Sequence, residues 1–243
     1  MDPNSKETSA PASLGVLVDR AIEITARHFQ LFAVVTMLTI ALQAIVYFAV
    51  RGITGANLAG LLLPPIITTI ANIRCALDLR EAELPMREIL AWAFGRVWAV
   101  ILIDFIFSYA FADGTFGMLS GDASGTFMGV LTVLLTSTLI FADVYASIEA
   151  QRNAFLQIPL AFMRSITLAW QNGNMLRIVL LAVFQITLVL VAIMLQQWLD
   201  FKHVRGAIFF ASVPLQTLFV APLSVLTTVV YFDCLARERE TIS

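Results

Sequence analysis

Residues 29–50 read FQLFAVVTMLTIALQAIVYFAV, 22 positions in a row without a charged side chain, preceded by Arg27 and His28 and followed by Arg51. At 1.5 Å per residue, a helix of that length covers about 33 Å, enough to cross a hydrocarbon layer of ~30 Å. A strand reading fails, because no period-two alternation is present and lipid offers no partner to an open strand edge. Working outward, the same pattern places five further spans at about residues 58–77, 97–112, 126–148, 176–198 and 207–231. The third is the shortest and only just long enough.

Composition agrees with that pattern. Of 243 residues, 59% are hydrophobic and 13% charged, with a mean hydropathy of +0.86, whereas soluble domains carry about 25% charged residues. The net charge of −2 comes without any basic block, which excludes nucleic acid as an expected partner. Residues 1–12 form a polar tail with no apolar stretch of the kind a signal peptide needs. Cys75 and Cys234 lack metal-ligand spacing and read as small apolar fillers near cytoplasmic helix ends.

Orientation follows from the basic residues. Twelve of the 15 Lys and Arg residues fall on one side of the six spans, leaving only Arg51, Lys202 and Arg205 on the other. Cytoplasmic loops carry the Lys/Arg excess, so both termini are expected in the cytoplasm.

The cytoplasmic connections are themselves patterned. Residues 13–28 place Leu14, Leu17, Val18 and Ala21 on one helical face, Asp19, Glu23 and Arg27 on another, with Ser13 as the expected N-cap. Residues 85–95 begin at Pro85, and residues 159–172 run from Pro159 to the stop signal Asn172-Gly173. Such amphipathic stretches fit either interface helices or connecting helices packed on the bundle. Pro11, Pro85 and Pro159 each precede one stretch and two spans. Each pair of spans closes with an acid followed by arginine: Asp78 and Arg80, Glu149 and Arg152, Asp233 and Arg237. The expected architecture is an all-α integral membrane domain over residues 13–240, with six transmembrane helices plus amphipathic interface helices. Three helix-plus-hairpin units fall at about 13–82, 83–153 and 154–240.

The closing stretch Ala221-Pro222-Leu223-Ser224 through Tyr231-Phe232-Asp233-Cys234-Leu235-Ala236-Arg237-Glu238-Arg239-Glu240 resembles a bacterial membrane family. That family comprises the multi-span domain found ahead of glycerophosphoryl diester phosphodiesterases and its stand-alone relatives. Glu149, Pro159-Leu160-Ala161-Phe162-Met163-Arg164-Ser165 and Trp170 resemble its central segment; Asp19-Arg20-Ala21-Ile22-Glu23-Ile24 and Arg27-His28-Phe29 resemble its start. Leu235 departs from it, standing where arginine is common. The resemblance implies a bacterial inner membrane location and association with lipid. It carries no catalytic residue onto this chain, because no soluble phosphodiesterase domain is expected here.

Asp104, in Val100-Ile101-Leu102-Ile103-Asp104-Phe105-Ile106-Phe107, is the sharpest polar candidate. A carboxylate at mid-membrane costs several kcal/mol unless protonated, paired or hydrated. It reads either as a proton- or cation-sensitive group facing a cavity or as a hydrogen-bonded tie between helices, with Gln43, Asn72 or Gln185 as expected partners. Asp143 is expected nearer the cytoplasmic end, and a clamp between Arg74 and Asp143 follows from their similar depth. A paired-carboxylate hydrolase needs two Asp at one depth, which this counting does not supply. Glycines at 117, 121, 125 and 129 would make one smooth face for close helix packing if the fourth helix started early, but the interleaved Ser120, Asp122 and Ser124 favour an outer loop. Arg87, Arg96, Arg164 and Arg177 are the expected contacts for anionic headgroups. No catalytic motif, cofactor site or metal set is recognisable. The function expected is a non-enzymatic scaffold or accessory, with membrane lipids and a membrane protein as partners. The alternative is a transporter or conduit using Asp104. The sequence sets no oligomeric state.

Overall fold

The computed structural model describes residues 12–50, 64–120, 123–149, 154–171, 174–202 and 219–242. Every regular element among them is helical: α1 (Leu14–Arg27), α2 (Phe29–Val50), α3 (Pro64–Leu79), α4 (Met86–Ser120), α5 (Ala123–Leu139), α6 (Ala142–Ile148), α7 (Ala154–Trp170), α8 (Met175–Phe201) and α9 (Ala221–Ile242). Among the described residues, three stretches are long and apolar enough to cross a membrane, namely Phe29–Val46, Met86–Ile106 and Gly129–Ile148. The expected spans at 58–77 and 207–231 lie partly outside the described residues, and Pro11, Arg51, Arg152, Asn172-Gly173 and Arg205 lie wholly outside them.

Several expected boundaries move. The amphipathic stretch 85–95 and the span 97–112 are one helix, α4. Gly95 is the only weak helix former at the junction, and its penalty of about 1 kcal/mol is smaller than that of opening backbone bonds in apolar surroundings. The same constraint corrects the outer loop: α4 continues to Ser120 and α5 resumes at Ala123, so Gly117, Gly125 and Gly129 are helical. Pro159 was expected in the first turn, yet α7 starts at Ala154 and carries Pro159 inside it. There the proline removes the bond its N–H would have made to the Phe155 carbonyl. Ser13 occupies the N-cap of α1 without a side-chain capping bond; its carbonyl accepts from Leu17 N–H at 3.1 Å.

The packing centres on α3, α6 and α9. Each of them touches the other two, and α4 packs on α3, α7 on α6 and α1 on α9. Leu17, Ala21 and Ile24 of α1 are buried, joining one core with Ile67, Ala71 and Cys75 of α3, Val144 of α6, and Val225 and Tyr231 of α9. Tyr231 is fully enclosed and meets Phe141 edge-on at 5.6 Å. Buried polar side chains are frequent here, including Thr69, Asn72, Ser147, Gln157, Ser165 and Thr228. The outward faces are apolar: Met86, Leu90, Phe94 and Trp98 form a stripe on α4, and Leu156, Leu160, Met163 and Trp170 form one on α7. Polar side chains kept inside among apolar ones, with an apolar exterior, is the distribution a lipid solvent selects.

Candidate functional site: a carboxyl pair beside an interrupted helix

The site begins with three consecutive hydroxyls. Thr136, Ser137 and Thr138 each donate to a carbonyl four residues back, at 2.8, 2.7 and 2.7 Å. Back-bonding of this kind competes with the backbone and bends helices. Immediately after it α5 ends at Leu139, and α6 begins at Ala142. The open backbone groups at the break are met from α7: Ser165 Oγ donates to the Thr138 carbonyl at 2.8 Å and accepts the Phe141 N–H at 3.1 Å. Such an interruption is tolerable in apolar surroundings only when neighbours supply those partners.

Asp143 lies in the first turn of α6, its carboxyl beside that of Asp104 on α4, and its Oδ1 is buried without a hydrogen-bond partner among the described residues. Two neighbouring carboxylates repel when both are ionised, and a proton shared between them relieves that repulsion. Two expectations are corrected. Asn72 meets Ser147 and Thr228 and Gln185 meets Thr227 rather than Asp104, and Arg74 turns to Asp78 rather than to Asp143. Counting residues along straight spans put the two acids at different depths because it registered neither the break after Leu139 nor the early start of α4.

One turn beyond Asp143 a polar seam joins the three central helices. Ser147 Oγ donates to the Asp143 carbonyl at 2.6 Å and accepts from Asn72 Nδ2 at 3.2 Å. Thr228 Oγ1 lies 3.0 Å from Asn72 Oδ1 and donates to it or to its own Ser224 carbonyl at 2.9 Å. The last carbonyls of α6 are also covered: Gln157 Nε2 donates to Ala146 at 2.6 Å, and Arg96 Nη1 to Ser147 at 2.8 Å. Arg96 is 9% exposed, and its guanidinium lies 4.5 Å from the centre of the Trp92 ring.

The helix-end acids gather the other cations. Asp78 takes His28 Nε2 at 2.7 Å, Arg74 Nη2 at 3.4 Å and Arg27 Nη1 at 3.6 Å. Arg74 Nε also stands 3.3 Å from His28 Nε2. One ring nitrogen cannot both donate and accept, and the shorter, carboxylate-directed contact makes Nε2–H the donor to Asp78. Asp233 takes Arg177 Nη1 at 3.2 Å and Arg237 Nε at 2.8 Å. Arg164 grips both Glu238 oxygens, at 2.9 and 2.6 Å, and that carboxylate holds the guanidinium above its ordinary, already high pKa. Of the four expected headgroup arginines, Arg96, Arg164 and Arg177 thus turn to internal partners, while Arg87 is exposed.

Ser165, Asn72, Thr228 and Gln157 carry much of this construction. Sequence reading gave them no role beyond Asn72 as a partner for Asp104. The available signal was generic: polar side chains within apolar spans need partners, and the Thr-Ser-Thr run marks a weak point. Among the described residues no group of three or more His, Cys, Asp and Glu is placed to hold a metal ion. Compared with family models, curated proteins and solved structures, the chain matches none of them.

Proposed function

We propose that this chain is a six-span protein of the bacterial inner membrane, with both termini in the cytoplasm, acting as a non-catalytic scaffold or accessory in a lipid or envelope process. The observation that carries this reading is the sorting of side chains. The stripes Met86-Leu90-Phe94-Trp98 and Leu156-Leu160-Met163-Trp170 face outward, whereas Arg74, Arg96, Arg164 and Arg177 are held by internal acceptors. Cations spent on internal bonds brace a frame, and an apolar exterior offers lipid or a neighbouring membrane protein a surface to pack on. The packing of α1 on α9, α4 on α3 and α7 on α6 supports three units closed in a ring, each opening helix resting on the closing helix of the unit before. The resemblance to the membrane domain of glycerophosphoryl diester phosphodiesterases points to the same lipid setting. Native mass spectrometry from lipid nanodiscs tests the proposal, which expects a protein partner at fixed stoichiometry. A protein found alone, holding a small molecule that Asp104→Asn releases, would favour the second reading.

That second reading is a transporter or conduit, and the Asp104–Asp143 contact at an interrupted helix favours it. A carboxyl pair that holds one proton can exchange it for a cation. It expects Asp104→Asn and Asp143→Asn to abolish flux in proteoliposomes while expression and thermal stability stay near wild type. Flux retained in the double variant would end it.

A further inference from the structure

One residue of the N-terminal segment, Ala12, packs its methyl against the core and is held besides by both of its peptide groups. Ala12 N–H donates to Asp233 Oδ1 at 2.7 Å, and its carbonyl oxygen receives Arg177 Nη1 at 2.8 Å and Arg237 Nη2 at 3.1 Å. Two guanidinium groups therefore converge on one oxygen. Asp233 is the carboxylate both of them meet. A neutral carbonyl is a weak match for such a site; an oxygen of a phosphate carries the charge and the lone pairs that paired arginines bind best. Its position fits that ligand. Arg177 and Arg237 are 28% and 22% exposed, and the residues flanking Arg177 on α8, Leu176 and Leu180, face outward at 71% and 49% exposure. The site therefore opens where the apolar exterior begins.

We infer that Arg177 and Arg237 form a binding site for a phosphate group of the kind borne by anionic lipid headgroups, and that the Ala12 peptide is a strap filling it until the ligand displaces it. The site itself stands on the Ala12, Arg177, Asp233 and Arg237 geometry; only the lipid source of the phosphate rests on the function proposed above. Because the strap occupies the site, measured affinity is lowered by the fraction of molecules in which it is closed.

The test uses the full chain. Ala12→Pro keeps the carbonyl but has no N–H to give Asp233, so the strap loses one charge-assisted bond, and binding should tighten roughly tenfold. Arg177→Gln and Arg237→Gln should each weaken binding at least about tenfold, and Arg87→Gln serves as a control at an exposed site. Two probes are used: inorganic phosphate by titration calorimetry in neutral detergent, and phosphatidylcholine vesicles with and without phosphatidylglycerol. Tightening by Ala12→Pro on phosphatidylglycerol vesicles supports a headgroup site. Tightening on inorganic phosphate alone supports the site but assigns it to a soluble phosphate compound, which removes lipid recognition from this corner. Ala12→Pro binding both probes as wild type does overturns the inference, as do Arg177→Gln and Arg237→Gln variants that fold and bind unchanged. Because Ala12→Pro acts by gain, it remains decisive even where the arginine variants unfold.

Discussion

Arg96 offers the sharpest separation between a lipid contact and a brace. Replacing it with Gln removes the bond from Nη1 to the Ser147 carbonyl at 2.8 Å and the cation held 4.5 Å from the Trp92 ring. A hydrogen bond to a charged donor contributes about 1.5–3 kcal/mol, and a desolvated cation–π contact about 1–2 kcal/mol. The carbonyl left behind lies at the end of α6 beside a buried serine, with Gln157 already engaged on Ala146, so water cannot replace the lost donor freely. These contributions overlap, and the expected loss is about 2–4 kcal/mol. Arg96→Lys keeps the charge but loses the planar stack and the forked reach, and should cost about 1–2 kcal/mol. Reversible unfolding in mixed detergent micelles measures both, and retention on phosphatidylglycerol vesicles measures the lipid contribution. The reasoning is refuted if Arg96→Gln lies within about 0.5 kcal/mol of wild type, the range of ordinary surface substitutions, while vesicle retention falls.

Arg87→Gln should show the opposite pattern, with unchanged unfolding and weakened vesicle retention, because this arginine is exposed on the first turn of α4. Ser165→Ala removes both bonds that span the break between α5 and α6 and should cost about 1–3 kcal/mol; a neutral result would show that the break needs no support from α7. Arg164 and Glu238 should show a coupling of about 1 kcal/mol in a double-mutant cycle, given their bidentate but partly exposed contact; no measurable coupling would mark the contact as incidental. Cys75 and Cys234 are 0% and 2% exposed, and burial pushes the Cys234 thiol up to about 12. Both should resist maleimide at pH 8 until denaturant is added, and rapid labelling of the folded protein would contradict their placement.

Reading the sequence and reading the fold succeed at different scales. The run from Phe29 to Val50 is legible because a membrane span depends on composition over some twenty positions, and α2 occupies those residues. The helical reading of α3, α4, α8 and α9 is legible for the same reason. Boundaries are less so. Gly95 and the 117–129 glycines look like interruptions by propensity, yet the helices continue through most of them because apolar surroundings offer the backbone no other partner. The true interruption follows Leu139, just after Thr136-Ser137-Thr138, a run that by itself would not break a helix.

Sequence by itself determined that this chain is helical and suited to a membrane, and it singled out Asp104 and Asp143 as groups needing company and Asp78 and Asp233 as helix-end acids followed by arginines. Only the tertiary structure decided the long-range company: Asp104 beside Asp143, His28 with Asp78, Arg96 with Ser147, and Arg177 with Asp233 and the Ala12 peptide. The physical reason is range. Hydropathy accumulates along contiguous residues, so it survives in the one-dimensional string. A buried polar contact needs two side chains, often more than fifty residues apart, to meet within about 3 Å, and that meeting depends on the break in one helix, the early start of another and the rotation of both.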